Sequence, residues 1–380
     1  MVEKLTSEQD GPKAFIECLI PVTACNLRCS YCYVIQENRR GAKVPKLPYS
    51  IERIKESLTR ERFGGTCFFN LCGAGETLIP RYTIDIAKAL LENGHFINIT
   101  TNGTLTNRFD QILEEFSSDE LERMSCSFSF HYLELVRIKK LDAFFANVRK
   151  MRDAGTSVLV QLNLCDEYLP HLDEIKRLCM QEVGAYPQVA ATREEEHFPA
   201  TNVRLLTELS REEYERIGNE FDSPLFRTTM KNFGVKRREF CYNGDWAYVL
   251  NFGSGRLHRC YNSALVQDIF KNPAKPIMKC AVGHCCNALF CYNSTHFMSI
   301  GTIPESDTPP YVDLRDRPEA SWYNDRMKAF LSHKLSENNR PYNALQKVGS
   351  RAVGVADTAA YNAYALITRH RQAKEENKGL

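Results

Sequence analysis

Three cysteines lie close together near the start of the chain, in the segment TACNLRCSYCYV. Cys25, Cys29 and Cys32 are interleaved with polar residues, which is typical of a loop and not of a packed core. Three thiolates at this spacing can bind one inorganic centre, and they leave one iron of a four-iron cluster open to an outside ligand. A structural zinc site would normally add a fourth Cys or His close by, and this segment has none.

A second group of cysteines lies between residues 241 and 291. Cys241 and Cys260 flank a predicted hairpin, WAYVLNFGSGRLHRCY, whose Gly-Ser-Gly turn would bring them together. Two fully ligated clusters need about eight cysteines, and this half of the chain has six. One cluster is therefore expected, held by Cys241, Cys260 and two of four further cysteines, which are Cys280, Cys285, Cys286 and Cys291.

The elements that must position the first cysteines are short β-rich runs alternating with amphipathic helical segments. The runs cover residues 14–21, 67–71, 95–101, 124–130, 157–164 and 186–193. Repeated strand-then-helix units predict a parallel sheet covered by helices, because right-handed crossovers place each strand beside the last. Cys25 follows the first run, so it belongs at the carboxyl end of the sheet, where such folds gather their active sites.

Two of these runs indicate a sheet curved around a polar cavity. In the fourth, Ser125, Ser127 and Ser129 alternate with apolar residues, and in the fifth Gln161 and Asn163 do so. Apolar side chains packed on outer helices would leave these polar ones pointing inward. We therefore predict an α/β fold with a partial (β/α)6 TIM-type barrel. The alternative, an antiparallel sheet with one wet face, is disfavoured by the intervening helical segments.

The composition excludes several classes of protein. The 380 residues include 49 Lys and Arg, 47 Asp and Glu, and 15 Cys. A net charge of +2 gives no overall field for nucleic acid or an anionic membrane. The first residues lack an apolar signal segment, and no stretch approaches the roughly 18 apolar residues of a membrane span. We expect a cytoplasmic chain with reduced thiols and with no nucleic-acid or membrane partner.

The first cysteine segment resembles the radical S-adenosylmethionine (SAM) superfamily. The pattern C-x3-C-x-aromatic-C, with Tyr31 in the aromatic position, follows the first strand, and the resemblance covers about residues 14–193. It implies that Cys25, Cys29 and Cys32 hold a [4Fe-4S] cluster whose fourth iron binds the amino and carboxylate groups of SAM. One-electron reduction would then cleave the sulfonium, giving a 5′-deoxyadenosyl radical that abstracts hydrogen from a substrate.

Further residues match places where this family contacts SAM. Gly73-Ala74-Gly75-Glu76 resembles its GGE motif with Ala in place of the second Gly, and Glu76 could accept a hydrogen bond from the methionyl ammonium. Thr101-Asn102-Gly103 ends the third strand, where the family often has the same triplet. The remaining candidate cofactor contacts, which could equally be ordinary polar residues of a cavity, are Ser127, Ser129, Asn163 and Arg193.

The second cysteine group resembles SPASM and twitch domains, which hold auxiliary iron–sulfur clusters. Cys241, thirteen residues, Gly255, four residues and Cys260 match the opening C-x(9–15)-G-x4-C pattern. The downstream cysteines depart from SPASM, so the resemblance is nearer to the shorter twitch type with one [4Fe-4S] cluster. A structural zinc site is the alternative. His284 and His296 are expected to be exposed loop residues.

The barrel mouth supplies candidate catalytic groups. His131 follows the fourth strand, and Arg193, Glu194, Glu195, Glu196 and His197 follow the sixth, although a charge run is commonly just a solvated loop. We nominate His131 and Glu194. An epimerase would also need a thiol to return a hydrogen atom, for which Cys286 and Cys291 are candidates, whereas a dehydrogenase would need a base and an electron acceptor.

These expectations give a provisional organisation and function. Residues 1–235 would form the radical SAM core, 236–300 a small cysteine-rich cluster-binding module with its hairpin, and 301–380 a Pro-rich segment and a helical tail. The substrate would be a polar small molecule such as a sugar or aminoglycoside, with flavodoxin or ferredoxin as electron donor. A peptide or protein maturase is the alternative enzyme, and a non-catalytic zinc-binding interaction protein is the alternative of another class.

Overall fold

Six strands form the parallel part of one sheet in the computed structural model. They are β1 (Ala14–Ile20), β2 (Cys67–Gly73), β3 (Phe96–Thr101), β4 (Met124–Ser129), β5 (Ser157–Leu164) and β6 (Gln188–Ala191). They lie side by side in chain order, each parallel to its neighbour. The α/β fold with a partial-barrel sheet, predicted from the alternating runs, is confirmed.

The structure describes residues 5–36, 41, 44–195 and 203–376, with only the backbone for 35, 36, 195 and 369–376.

The helices that cross between the strands or follow them are α1 (Tyr33–Gln36), α2 (Ile51–Ser57), α3 (Arg60–Phe63), α4 (Tyr82–Glu92), α5 (Thr106–Glu115), α6 (Ser118–Glu122), α7 (Tyr132–Arg137), α8 (Leu141–Asp153), α9 (Leu172–Val183), α10 (Arg211–Asn219), α11 (Pro224–Asn232), α12 (Ser294–Phe297), α13 (Asp325–Ser332), α14 (Leu335–Asn338) and α15 (Ala344–Glu376).

The two faces of β4 pack as its alternating sequence predicts. Phe128 stacks on Phe109 of α5, with ring centroids 5.4 Å apart, and meets Phe144 of α8 edge-on at 5.9 Å. On the opposite face, Ser125 and Ser127 both donate to Oδ1 of Asn98, at 2.9 and 3.0 Å. The apolar face therefore joins the helices, and the polar face lines the interior of the barrel.

The predicted hairpin continues this same sheet. Strand β9 (Ala247–Asn251) pairs in parallel with β1, while β10 (Arg256–His258) and β11 (Val266–Asp268) add antiparallel strands beyond it. The order is β11-β10-β9-β1-β2-β3-β4-β5-β6. A separate antiparallel ribbon is formed by β7 (Arg193–Glu195) and β8 (Val203–Leu205). Because β9 pairs with β1, the second group of cysteines is fixed directly beside the barrel.

The C-terminal region ends in α15, the longest of the described helices, which has 33 residues and lies within the predicted helical tail. One side of α15 lies against the second cysteine group: Ser350 donates to the carbonyl of Ala281 at 2.7 Å, and Thr358 to that of Cys285 at 3.3 Å. Over the residues that the structure describes, no helix combines the length and the apolar character needed to cross a bilayer.

Candidate functional site

A cavity of about 320 Å³ opens where the parallel strands end. The loop after β1 contributes Cys25, Cys29 and Cys32, and the loop after β2 contributes Gly73 to Thr77. The ends of the later strands supply Thr101, Asn102, Ser129, His131, Asn163 and Arg193. Residues chosen from three separate sequence motifs therefore converge on one space, as expected for carboxyl ends of parallel strands.

The glycine loop after β2 is bonded to the chain that leads into the cysteines. The amide of Gly75 donates to the carbonyl of Val22, and that of Glu76 to the carbonyl of Ala24, both at 2.9 Å. A Cβ on Gly75 would lie 2.2 Å from the Ala24 oxygen, so no side chain fits there. Glycine is therefore required by close backbone approach, and the two loops are held as one unit.

Glu76 is buried, and its carboxylate joins this unit to the end of β3. One oxygen accepts from the hydroxyl of Thr101 at 2.7 Å and from the amide of Leu78 at 3.0 Å. The other accepts from the amide of Asn102 at 2.7 Å. Burial raises the pKa of Glu76, and these hydrogen bonds oppose that rise. A carboxylate has about four acceptor sites, so three internal bonds leave capacity for the ammonium predicted as its ligand.

Asn102 and Asn26 fix the start of the cysteine loop. Asn102 donates to Oδ1 of Asn26 at 2.8 Å, and Asn26 donates to the hydroxyl of Thr104 at 2.7 Å. The same Asn102 amide lies 3.9 Å from the sulfur of Cys25. The cysteines of this motif therefore face the cavity, and the asparagine between them holds the loop against the end of β3 by hydrogen bonds. Asn26 was not predicted as a site residue, although its position as a polar residue between two cysteines of the motif could have indicated this role.

The aromatic residue of the motif, Tyr31, is buried beside Cys29. Its hydroxyl lies 2.6 Å from Nδ1 of His131 and 2.9 Å from the hydroxyl of Tyr168. Burial raises the pKa of Cys29 to about 12, and a hydrogen bond from Tyr31 opposes that rise. Burial also lowers the pKa of His131 to about 4, so its ring is neutral at pH 7. Tyr168 was not predicted, because no local pattern places its loop beside Tyr31.

Of the remaining nominated residues, Ser127 and Glu194 lie outside the cavity wall, whereas Arg193 lines it. Ser127 is engaged with Asn98 below it. Glu194 forms an ion pair with Arg204 across the β7–β8 ribbon, which lowers the pKa of its carboxyl. Arg193 lines the cavity and also donates to the carbonyl of Tyr292 at 3.1 Å. The side chain of Glu195, together with Glu196 and His197, lies outside the described residues.

A buried polar network below the cavity was also missed. Glu17 of β1 accepts from Asn70 at 2.7 Å and from the thiol of Cys72 at 3.2 Å, and it lies 3.2 Å from Nδ1 of His296. The expectation that His296 is an exposed loop residue is wrong: its side chain is 22% exposed and reaches into the barrel interior. His284, by contrast, is exposed and bonds to the carbonyl of Arg238.

Four of the six later cysteines meet in a second cavity. Cys241, Cys260, Cys286 and Cys291 line it, and mutual repulsion of their thiolates contributes, after burial, to the raised pKa values of Cys241, Cys260 and Cys291. Cys285 touches the same cavity but turns toward α15, where a Cβ on Gly354 would lie 2.8 Å from its sulfur. The Cys280 thiol lies instead near Arg259, which lowers its pKa against the larger effect of burial.

Unpaired buried polar atoms face this second cavity. Among the described residues, Nε of Arg237, Nδ2 of Asn287 and Oδ1 of Asn243 are buried without a hydrogen-bond partner, and all three residues line it. The amide nitrogen of Asn243 lies 3.5 Å from the sulfur of Cys260. Buried donors without partners are costly. Two such donors beside four thiols match the hydrogen bonding that sulfide and thiolate groups of an iron–sulfur cluster accept.

The donor spacing bears on the choice of metal. Within the part of the chain that the structure describes, no three His, Cys, Asp or Glu side chains lie close enough together to hold a single metal ion. A zinc ion with bonds of about 2.3 Å draws its ligand sulfurs to roughly 4 Å from one another. An iron–sulfur cube carries each cysteine on a different iron and spaces the sulfurs more widely. A cube can therefore take cysteines that lie too far apart to share one zinc ion.

Helix α15 closes the second cavity from outside. Gly354, Asp357 and Thr358 line it, and Asp357 forms a buried ion pair with Arg259 at 3.0 Å. The same carboxylate accepts from the hydroxyl of Ser263 at 2.8 Å and from the amide of Leu265 at 2.6 Å. The long helix is consequently fixed to the cysteine-bearing segment by a charged and fully bonded contact.

One family model and several solved structures are similar to parts of this chain. The family model of the Radical SAM superfamily matches residues 19–179. SuiB of Streptococcus suis bound to S-adenosylmethionine aligns with 69% of this chain, at 15% identity and a TM-score of 0.48, and the alignment covers 64% of SuiB. Native anSMEcpe with bound AdoMet aligns with 93% of this chain and 100% of its own, at 12% identity and a TM-score of 0.43. No curated protein matches the chain in sequence.

The matched segment contains the features on which the resemblance was first based. It runs from β1 to α9 and includes the three cysteines, the glycine loop and the Thr-Asn-Gly turn that the structure brings to one cavity. The cofactors of that family are a [4Fe-4S] cluster and SAM, and three cysteines around an open cavity suit a cluster with one open iron. Residues 19–179 of this chain form a radical SAM domain.

Proposed function

We propose that the chain is a radical SAM enzyme that abstracts hydrogen from a C–H bond of a polar substrate. The observation that carries this proposal is the convergence of Cys25, Cys29 and Cys32 with the bonded glycine loop and Asn102 around one cavity. When bound there, a reduced [4Fe-4S] cluster supplies the electron that splits SAM into methionine and a 5′-deoxyadenosyl radical.

The chain's own residues would bind and orient SAM. Gly73 and Gly75 let the glycine loop pack closely on the loop after β1, since a side chain at either would collide with it, and both line the cavity that would take the methionyl group. Glu76 is fixed by three hydrogen bonds and carries the acceptor capacity for an ammonium. Ser129 and Asn163 supply hydroxyl and amide groups at the wall for ribose or carboxylate oxygens.

The second cavity supports one auxiliary [4Fe-4S] cluster held by Cys241, Cys260, Cys286 and Cys291. These four thiols are mutually close, and the unpaired donors of Arg237 and Asn287 face them. With four protein ligands every iron would be saturated, so this cluster would transfer electrons and would not bind a ligand. The cysteines then left over are Cys280 and Cys285, neither of which lines the barrel cavity.

The substrate would enter the barrel mouth between the two cysteine sites. His131 and Arg193 stand at that mouth, and Arg193 also contacts Tyr292 of the second region, so substrate and auxiliary site would share one wall. The cavity of about 320 Å³ would be taken up largely by SAM itself, so the substrate would bind at its mouth. A polar small molecule is the first candidate, and a peptide side chain presented from outside is the second.

The test is the formation of 5′-deoxyadenosine. Protein reconstituted anaerobically with iron and sulfide should hold close to eight irons per chain. With SAM and dithionite it should release 5′-deoxyadenosine and methionine in equal amounts, detected by mass spectrometry, and omission of dithionite is the control. Stoichiometric zinc without iron, together with no 5′-deoxyadenosine, would instead support a metal-binding interaction protein.

The reaction type is tested separately, with candidate sugars, aminoglycosides and peptides added one at a time. A substrate should stimulate 5′-deoxyadenosine formation above the uncoupled rate. Product of unchanged composition that gains one deuterium from heavy water would indicate epimerisation. Loss of two hydrogens would indicate dehydrogenation or, within a peptide, a crosslink.

A further inference from the structure

Helix α15 has two unlike faces. The inward face carries small or polar residues that pack on the second cysteine region: Ser350 and Ala365 are buried, Gly354 fits against Cys285, and Asp357 pairs with Arg259. In an ordinary surface helix the inward face is the apolar one. Here the polar contacts hold the helix in place, and the apolar residues are left for the other side.

The outward face carries an apolar stripe, which we call the α15 seam. Its members follow one another at alternating steps of three and four residues, the spacing of a coiled-coil contact. They are Leu345, Val348, Ala352, Val355, Ala359, Asn362 and Leu366, and all are exposed. Leu345 is 84% exposed, Val348 68%, Val355 60% and Leu366 66%. At 1.5 Å per residue the seam is about 32 Å long.

The α15 seam contains no charged residue. The three charged residues between positions 344 and 368 are Lys347, Arg351 and Asp357, and none of them belongs to it. Three further large apolar residues of α15, outside the seam, are also exposed, namely Val353, Tyr364 and Ile367. Isolated exposed apolar side chains are common, but a continuous uncharged face of this length marks a surface that another molecule covers.

We propose that the α15 seam pairs with the seam of a second copy of this chain. The small residues Gly349, Ala356 and Ala363 recur every seven positions along one edge, which lets two identical helices approach closely. From the exposed fractions, each copy would bury roughly 500 Å² in the pair, or about 1,000 Å² in total. That area reaches the lower limit for a specific interface, so pairing should depend on concentration in the micromolar range.

A two-fold helix pair also explains the polar member of the seam. Asn362 would be the single amide in an otherwise apolar contact, the position that coiled coils use to fix register. Val355 lies at the middle of the seam, so it lies within about one helical turn of Val355 of the second copy whether the helices run parallel or antiparallel. This position therefore allows a test that does not depend on the orientation of the pair.

The experiment measures the mass of the full-length reconstituted protein by anaerobic sedimentation, from about 1 to about 100 µM. The wild type should pass from monomer to dimer over this range. Val355→Glu and Val355→Lys should each stay monomeric, and an equimolar mixture of the two should restore the dimer, because opposite charges then meet. Gln346→Glu adds the same charge on the same helix away from the seam and should dimerise as the wild type does.

Iron content and the circular dichroism spectrum check that each variant is folded. A wild type that remains monomeric at about 100 µM, or a dimer that Val355→Glu leaves intact, would overturn the proposal. A monomeric wild type that co-floats with vesicles of phosphatidylcholine and phosphatidylglycerol would overturn it too, and would assign the seam to a lipid surface.

Discussion

The two cysteine sites differ in the number of thiols that converge and in access. Cys25, Cys29 and Cys32 stand on one loop at the wall of an open cavity of about 320 Å³. Cys241, Cys260, Cys286 and Cys291 come from separate segments and are covered by α15. On four irons, three thiolates leave a site for chemistry, whereas four leave none. We therefore propose that the reaction takes place at the first site and that the second site transfers electrons.

The sites also differ in how they are built. Hydrogen bonds among neighbouring loops fix the first: the cysteine loop, the glycine loop and the end of β3 are bonded to each other through Glu76, Asn102 and Asn26. Long-range contacts fix the second: β9 pairs with β1, and Asp357 holds a helix whose sequence lies almost a hundred residues beyond Arg259. A reactive site needs tight positioning around a ligand, while a saturated cluster needs cover from solvent.

The largest effect should follow from emptying the first site. The Cys25→Ala, Cys29→Ala, Cys32→Ala triple variant should lose all 5′-deoxyadenosine formation, with iron falling from about eight to about four per chain. Cys179→Ala, which removes a buried cysteine of α9 that only packs, is the control and should keep both. If the triple variant retained about eight irons, the assignment of a cluster to this loop would be wrong.

The next largest effect should distinguish Cys286, a proposed ligand of the second site, from its neighbour Cys285. Cys286→Ser should lose the auxiliary cluster and about four irons, while Cys285→Ser should keep them, because the Cys285 sulfur faces α15. The measurement is iron content together with the low-temperature electron paramagnetic resonance spectrum of the reduced protein. The reverse pattern would move the fourth ligand to Cys285 and would contradict the ligand set proposed above.

What could be predicted from sequence follows the same division. The six parallel strands and the hairpin were predicted, and so were the three cysteines, the glycine loop and the Thr-Asn pair that line the first cavity, because each depends on a short motif at the end of a strand. The choice among Cys280, Cys285, Cys286 and Cys291 could not be made, because it depends on how the chain from 280 to 291 passes under α15. Spacing alone does not specify that path.

Side chains that act across long separations were missed for the same reason. Tyr168 reaches Tyr31 from a loop between β5 and α9, and His296 reaches Glu17 from α12. The sequence predicted that Glu194 lies near the mouth, but not the direction of its side chain. The side to which a strand residue points depends on how the strand pairs, and the sequence did not indicate that β7 pairs with β8. For such residues the sequence predicts which element they belong to, but not where their side chains point.

A smaller effect should follow from loosening the cover of the second site. Asp357→Asn leaves Arg259, only 4% exposed, without its counter-ion, and should weaken the docking of α15 by roughly 3 kcal/mol. Ser263→Ala removes one neutral hydrogen bond to the same carboxylate and should cost about 1 kcal/mol. Hydrogen exchange of the α15 amides, measured by mass spectrometry, should speed up in that order. Equal exchange in both variants would mean that the ion pair does not hold the helix.

The smallest predicted effect tests how the first cluster is tuned. A phenol has one donor and two acceptor positions, so when Cys29 is a cluster thiolate Tyr31 can donate to it, provided that His131 and Tyr168, 2.6 and 2.9 Å away, donate to the Tyr31 oxygen. Tyr31→Phe removes that donor. The lost bond is worth about 1 kcal/mol, or roughly 40 mV for one electron, and the reduction potential should become more negative because the reduced cluster carries more charge.

The controls for this variant return to the difference between the two sites. Tyr168→Phe leaves the bond from Tyr31 to Cys29 in place and only weakens its polarisation, so its shift should be smaller and of the same sign. The potential of the second cluster should not move in either variant, since neither tyrosine lines its cavity. Redox titration followed by electron paramagnetic resonance resolves both signals. A shift of both potentials together would mean that the two sites are coupled and not independent.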